Sequence, residues 1–566
     1  MKKITTFLLL LSSIVLIATS CEEKTNIEKG KIESAVYNST SQVFTIKYSN
    51  GQTEDIKAVI NNSTVPPSAS AQLNDGTIIT VDNANESGDA YIYDKTKVGE
   101  FRYVNNWIQD EMSIYYLWND KIPKAPDFSL KPNLFFESIL YRYSASQPDG
   151  DRFSWIQDDY KELQQSLSGV ASDEIGFEYI IVWADQAKTH YYPLVTYAKA
   201  GTDAAAKGVT RGKFITKVNG ANITPQNIKT ALGGTGNKTL SMAEWEYDKE
   251  DEKHYLTAIP DVTISMHKNF AENPVFLDSV YTIGDKKIGY LSYNFFATDN
   301  GDKSHDYDKL LMNRLNEIKA KGAKEMVLDL RYNSGGAVST AIALASALVK
   351  NRSTNNILVT SQYNDIVHSA LKSEYGADYN KEYFIDKIMR ENAVVAEIPN
   401  LNLDRLFLLT GFYTASASEL IINGLKPYMD VVLIGETTYG KNVGSITLYE
   451  KNDVKNKWGM QPIIVKYANS KGDSEYTAGF KPNHEIDEFN DLFLYPIGNT
   501  NDPLLGKAIS LITGSTTKSA THLNLSETSL RSAKASDNMR LRNPAKLELQ
   551  DDKHQDFIRK IGKQVE

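Results

Sequence analysis

Glu325-Met326-Val327-Leu328-Asp329-Leu330-Arg331-Tyr332-Asn333-Ser334-Gly335-Gly336 passes from an apolar strand into a polar turn that ends in two glycines. A helix-length apolar run, Val338 to Val349, follows at once. Leu406-Phe407-Leu408-Leu409-Thr410 and Val431-Val432-Leu433-Ile434-Gly435 repeat the plan, and Ile288-Gly289-Tyr290-Leu291 adds another strand. Continuous rather than alternating hydrophobicity marks strands buried on both faces. Strands of this kind joined by helices predict an α/β core with a largely parallel sheet over residues 266–515.

Outward from that core the patterns change. At 566 residues the chain is too long for one hydrophobic core and should hold several domains. Residues 166–265 carry Ala204-Ala205-Ala206-Lys207-Gly208-Val209, then an alternating strand that stops at Asn219-Gly220. Over 99–165, Val104, Trp107, Ile108, Met112, Tyr115 and Trp118 fall on one helical face, and 133–143 repeats the helical period. These aromatic residues read as core rather than as a ligand box. Residues 21–98 read as a β-rich module or spacer, with strands at 43–48 and 77–81 around turns at Ser49-Asn50-Gly51 and Asn74-Asp75-Gly76. The last segment, 516–566, is polar and reads as a loose tail with one late helix. The expected fold class is multidomain, α/β and α+β.

The first twenty residues read as an address rather than as structure. Lys2 and Lys3 precede an apolar stretch, Ile4 to Ile17, too short to span a bilayer. It ends in Leu16-Ile17-Ala18-Thr19-Ser20-Cys21, small residues leading to the only cysteine. The pattern resembles a bacterial lipoprotein signal, in which Cys21 is acylated and becomes the mature N-terminus. An ordinary secretory signal beside an uninvolved cysteine is the other reading. Acylation adds about 0.8 kcal/mol of membrane affinity per buried methylene, so two or three chains would tether a protein body outside the cytoplasm, periplasmic or surface-exposed.

A net charge of −9 argues against broad capture of nucleic acid. A single cysteine excludes a disulfide scaffold, a cysteine-based zinc site and an iron–sulfur cluster. No metal or organic cofactor is expected. His190, His254, His267, His305, His368 and His484 lie outside the terminal segments, none in a recognisable motif, though a Ser–His pair needs no closeness in sequence.

Two further segments bear on chemistry. Gly435-Glu436-Thr437-Thr438-Tyr439-Gly440-Lys441 fits the start of a phosphate-binding loop. Asn442 stands where Ser or Thr would hold magnesium, and 443–449 reads as a strand where phosphate binding needs a helix N-terminus. A nucleotide site is therefore not expected. Thr414-Ala415-Ser416-Ala417-Ser418-Glu419 precedes the apolar Leu420-Ile421-Ile422. Ser416 and Glu419 make a capping box, which is sufficient reason for both residues. A strand-to-helix turn of small residues also suits a nucleophile, because it exposes a hydroxyl and aims N–H groups at a developing oxyanion. A serine needs a base, and Lys441 serves if burial lowers an ammonium pKa that is ordinarily about 10.4. The alternative for Lys441 is a solvated surface lysine.

Taken together, Asp329-Leu330-Arg331-Tyr332-Asn333-Ser334-Gly335-Gly336, the Ser-Ala-Ser-Glu turn and the 435–441 segment resemble the C-terminal processing (tail-specific) peptidases. These are serine–lysine proteases with an embedded PDZ domain. The family spaces serine and lysine by 25 residues, which selects Ser416 over Ser418. The resemblance implies Ser416 as nucleophile and Lys441 as general base. It implies an oxyanion hole from the N–H of Ala417 with that of Gly335 or Gly336. It also implies a PDZ-like unit at 166–265, whose carboxylate-gripping loop would fall at Ile175, Gly176 and Phe177. Two positions depart from the family pattern. Ser445 replaces the glutamine that orients the lysine, and Pro427 replaces a common aspartate.

The expected function is that of a lipid-anchored serine endopeptidase that binds exposed polypeptide C-termini and cleaves nearby. The departures at Ser445 and Pro427 keep open a peptide-binding lipoprotein of weak or no activity on the same fold. A glycan-binding reading has only surface tethering and 32 tyrosines behind it.

Overall fold

The computed structural model describes residues 30–515 apart from 63–65, 94, 168–169, 391 and 491, together with 531–532 and 555–561. The signal segment 1–20, the acylation expected at Cys21 and most of the tail fall outside the described residues. The chain divides into two units, Met1–Val98 and Gly99–Glu566.

In the first unit, two four-stranded sheets share one core, in which Tyr37, Phe44, Ile46, Ala69 and Ile79 are fully buried. The strand Val43–Tyr48 alternates as its sequence requires, with Phe44, Ile46 and Tyr48 inward and Thr45 and Lys47 outward.

The second unit takes in most of helix α1 (Lys95–Tyr115), which buries Val104, Ile108, Met112 and Tyr115. Trp118 falls in the turn beyond its end. Helix α2 (Pro132–Ile139) starts on a proline, whose missing N–H costs nothing at that position, and buries Leu134, Phe135, Phe136 and Ile139. It ends before Tyr143, so the helical period at 133–143 is realised only in its first half.

A mainly antiparallel sheet follows: β1 (Phe177–Ile180), β2 (Leu194–Ala198), β3 (Phe214–Val218), β4 (Lys238–Asp248) and β5 (Lys253–Ile264), adjacent in that order. Asn219 and Gly220 both take positive φ, 50° and 78°, the backbone that a tight two-residue turn after β3 demands. The short helix Asp203–Ala206 is capped by Thr202, whose Oγ1 accepts the N–H of Ala205.

The central sheet holds the site. Its strands are β6 (Val275–Ile283), β7 (Lys286–Tyr293), β8 (Glu325–Asp329), β9 (Arg405–Thr410), β10 (Asp430–Gly435) and a short β11 (His484–Glu485), adjacent in that order. β6 and β7 form an antiparallel hairpin; from β7 to β11 every pairing is parallel. Helices α3 (Asp306–Ala320), α4 (Val338–Leu348) and α5 (Ala417–Leu425) lie in the connections. Both faces are covered, so Val327, Leu328, Phe407, Leu408, Leu433 and Ile434 are all buried. α4 and α5 are buried almost along their whole length, which explains their uninterrupted apolar sequences. Helix α6 (Pro503–Thr513) closes the opposite face.

The tail is not wholly loose. Its helix, Gln555–Ile561, buries Ile558 and Ile561 in the main core, and Arg531–Ser532 pairs antiparallel with Val182–Trp183. Among the described residues no helix is long and apolar enough to cross a membrane.

Candidate active site

Three adjacent parallel strands deliver the candidate residues. β8 leads into the Asn333–Gly336 turn, β9 into the turn before α5, and β10 into the loop that carries Lys441. All three turns lie beyond the carboxyl ends of neighbouring strands, where open α/β sheets place their ligand sites.

Hydrogen bonds join the turns to one another. The carbonyl of Asn333 accepts the N–H of Ala415 (3.1 Å) and the hydroxyl of Ser418 (3.0 Å). The N–H of Tyr439 donates to the carbonyl of Thr414 at 2.9 Å. Glu419 completes the assembly. Its Oε2 accepts the N–H groups of Ser416 (2.9 Å) and Lys441 (2.7 Å), and its Oε1 accepts the N–H of Gly440 (2.7 Å) and the hydroxyl of Thr438 (2.6 Å). Burial raises the Glu419 pKa, against the pull of these four donors.

Ser416 caps α5 with φ 60° and ψ −114°, a left-handed conformation unusual for a residue with a side chain. Strain of this kind costs about 1–3 kcal/mol and persists where its surroundings impose it. Glu419 and Ser416 form the expected capping box, yet Ser416 Oγ is buried and has no hydrogen-bond partner at bonding geometry among the described residues. Ser418, the rival on spacing, has its hydroxyl committed to Asn333. Among the described residues no histidine engages the Ser416 hydroxyl. His368 contacts Tyr379, His267 accepts from Asp203, and His190 lies against Asp185.

Lys441 is 1% exposed, far from the solvated lysine of the alternative reading, and its Nζ lies 5.1 Å from the centroid of the Phe153 ring. Ser445 is also buried, at the end of the strand Val443–Ser445 that begins two residues after Lys441. That strand stands where a phosphate site would need a helix.

The two glycines are separated by their bonds. Gly335 gives its N–H to Asn333 Oδ1 (2.9 Å), whereas the N–H groups of Gly336 and Ala417 donate to no described residue. A Cβ on Gly335 would lie 2.6 Å from Ser416 Cβ and 3.1 Å from its Oγ, and one on Gly336 would lie 1.9 Å from the carbonyl oxygen of Phe296. Both positions therefore require glycine for close approach.

The 175–177 segment is elsewhere, at the start of β1. The side chains of Ile175 and Phe177 are fully buried in the core of the antiparallel sheet, and the N–H of Gly176 is taken by Glu174 at 2.7 Å. The side chains of Ile175 and Phe177 therefore belong to the core of the sheet. Beneath this loop Lys199 is buried among Glu174, Glu178 and Glu272.

Three contributors were not read as site residues in the sequence. Glu419 was read only as a cap, and Asn333 only as part of a turn. Phe153, in the run Asp151-Arg152-Phe153-Ser154, belongs to no motif that the sequence sets apart. Beside it, Trp118, Arg152, Phe153, Asn442 and Val443 line a cavity of about 180 Å³ that also meets Lys466 and Glu475.

The parallel α/β core thus carries a serine in a strained turn and a buried lysine on neighbouring loops. Residues 103–155 match the peptidase S41 N-terminal domain, and 287–486 match peptidase family S41. Over these two stretches the chain is similar to peptidase family S41. It is 24% identical over 341 residues to a CtpA-like serine protease of Staphylococcus aureus, covering 60% of this chain and 58% of that one. It is 23% identical over 282 residues to the carboxy-terminal processing protease CtpA of Bacillus subtilis, covering half of each. The match thus spans little more than half the length of these relatives. A crystal structure from Bacteroides fragilis, described as of an S41 protease, superposes with a TM-score of 0.58 at 28% identity, covering 73% of this chain and 98% of that one.

Proposed function

We propose that this chain is a serine endopeptidase of the C-terminal processing type. Ser416 is the nucleophile and Lys441 its general base, and the oxyanion hole is formed by the N–H groups of Ala417 and Gly336. The observation that carries this reading is the single Glu419 carboxylate that binds the main chain of both Ser416 and Lys441.

In this mechanism the neutral Lys441 amine takes the Ser416 proton as Oγ attacks the scissile carbonyl. The carbonyl oxygen gains negative charge and is met by the two N–H donors and by the N-terminus of α5. The lysine ammonium then returns its proton to the leaving amine. Water hydrolyses the acyl-enzyme by the same route, with Lys441 again as base. Because Ser416 is 0% exposed, the cover over the hydroxyl must open before a peptide can enter.

The antiparallel sheet at 166–265 is proposed as the PDZ-like unit. Its terminal strand β1 offers an edge to which an extended substrate end adds as a further strand. Acylation at Cys21 is proposed to tether the enzyme to the outside of a bacterial membrane. Polypeptides with exposed C-termini are the proposed substrates.

The test is cleavage of unstructured polypeptides by the purified protein, with Ser416→Ala and Lys441→Ala alongside. Loss of cleavage in both supports the assignment, and equal cleavage by Ser416→Ala removes it. Ser445 and Pro427 favour a second reading, a peptide-binding protein of little activity. Recovery of a bound peptide intact, with Ser416 never acylated, would select that one.

A further inference from the structure

We propose that Arg152 is a positioning residue for Lys441: it holds the Gly440–Lys441 turn in place, and its charge favours the neutral amine of the lysine. This inference rests on the assignment of Lys441 as the base.

The element that presents Arg152 is rigid. Asp151 Oδ1 accepts the N–H groups of Phe153 (2.8 Å) and Ser154 (2.9 Å), and its Oδ2 accepts the Tyr116 hydroxyl (2.9 Å). Ser154 Oγ accepts the N–H of Ile463 at 2.8 Å, which fastens the knuckle to the protease core. Held in this way, Arg152 donates from Nη2 to the carbonyl of Gly440 at 2.6 Å and to that of Thr477 at 3.0 Å. Gly440 immediately precedes Lys441. The loop is thus held at its N–H groups by Glu419 and at its carbonyl by Arg152.

The same placement has an electrostatic consequence. The Arg152 guanidinium carbon lies 4.8 Å from the Phe153 ring centroid, and Lys441 Nζ lies 5.1 Å from that same centroid. Two cationic centres therefore share one ring and lie within about 10 Å of each other. Arg152 forms no ion pair among the described residues, so its charge is not cancelled by a bound carboxylate. A neighbouring cation disfavours the ammonium, in the same direction as the burial of Lys441. The Phe153 ring acts the other way, because its face attracts a cation.

Other charged and titratable groups also surround this loop. Glu419 on α5 accepts main-chain N–H groups. Lys466, on the strand Ile463–Asn469, is ion-paired with Glu475 at 2.6 Å. Asp149 lines the cavity that Arg152 also lines. Tyr439 lies on the loop itself, and Tyr476 is held protonated by burial and by Glu419.

The test is the pH dependence of kcat/KM for peptide hydrolysis by the full-length chain, compared among wild type, Arg152→Gln, Arg152→Met, Arg152→Lys and Lys441→Ala. Two unit charges about 10 Å apart at an effective dielectric near 20 predict a shift of about one pH unit. The acid limb should therefore rise by about one unit in Arg152→Gln and in Arg152→Met, and keep its wild-type midpoint in Arg152→Lys. A limb that stays in place in the two neutral variants, with only the rate reduced, overturns the inference. A wild-type profile in Lys441→Ala would instead remove Lys441 as the base, a different failure. The two neutral variants differ in polarity, so misfolding of one leaves the other to report.

Discussion

The main-chain N–H groups of Ser416 and Lys441, 25 residues apart in sequence, donate to one atom, Glu419 Oε2, at 2.9 and 2.7 Å. The Ser416 turn and the Lys441 loop are therefore registered by a shared main-chain acceptor. Glutamine cannot replace it, because a carboxamide turns one acceptor oxygen into an NH₂ group that faces N–H donors. Hydrogen bonds to a buried charge contribute about 1.5–3 kcal/mol each. Glu419→Gln is expected to lower thermal stability and to reduce kcat by about a hundredfold or more. Wild-type kcat in this variant would show that the registry is dispensable.

The titration of Glu419 adds a pH dependence. Its native pKa is raised by burial, so the folded chain holds this proton more tightly than the unfolded chain. The stability that Glu419 contributes is complete below the ordinary glutamate range and is lost as pH rises through the raised native value. The difference in unfolding free energy between wild type and Glu419→Gln should therefore fall with rising pH across that window. Chemical denaturation at a series of pH values measures it, and a difference that grew with pH would contradict the assignment.

Ser416 combines positive φ with a buried hydroxyl that has no partner among the described residues. Both features are unfavourable for folding, so Ser416 is held at the expense of stability. Ser416→Gly relieves the backbone and removes the unpaired oxygen, and is expected to raise stability by about 1 kcal/mol while abolishing hydrolysis. Ser416→Ala removes only the hydroxyl and should fall between wild type and Ser416→Gly. A Ser416→Gly protein that melts below wild type would refute the strain.

Gly335 abuts Ser416. A methyl group there would be pushed against Ser416 Cβ and Oγ, on a backbone with φ 112°. Gly335→Ala is expected to slow phosphonylation of Ser416 by a fluorophosphonate probe by about a hundredfold, the scale of losing one oxyanion donor. Unchanged labelling would place the oxyanion turn elsewhere.

Behind the oxyanion turn, Arg331 is buried with Asp329, Glu488 and Asp502, and Arg211 joins it at Glu488. Burial alone would raise the Asp502 pKa, but Arg331 and Arg211 bring it below the usual carboxylate range. Its contribution is present above the ordinary aspartate range and is lost as pH falls through the native value. Asp502→Asn should cost about 3 kcal/mol near neutral pH, because it leaves part of a buried cation uncompensated. It should also remove this component of acid unfolding. Equal acid sensitivity in wild type and variant would contradict the coupling.

Much of the site was legible in the sequence because local signals carried it. Apolar runs placed β8, β9 and β10, the tiny residues at 414–418 marked the turn before α5, and the family's 25-residue spacing pointed to Ser416 rather than Ser418. The capping role of Glu419 was equally local, since N-cap and N3 are three residues apart. Its second role was not, because Thr438, Gly440 and Lys441 reach Glu419 only when β9 and β10 pair in parallel. The same limit hid Phe153 and Arg152, nearly three hundred residues from the lysine that they face. At 175–177 the resemblance suggested a carboxylate-gripping loop, and only the sheet shows that Ile175 and Phe177 turn their side chains into its core.

The sequence by itself determined the strand-and-helix plan, the turns at which chemistry can occur and the residue types that occupy them. These follow from hydrophobic period, capping and glycine content, all of which act over a few residues. Only the tertiary structure decided which donors are free and which are taken. Gly335 gives its N–H to Asn333 while that of Gly336 donates to no described residue, and the Ser418 hydroxyl is bonded while that of Ser416 has no partner among the described residues. Those outcomes depend on side chains and carbonyls brought together by strand pairing, and a hydrogen bond exists only where such groups meet within about 3 Å.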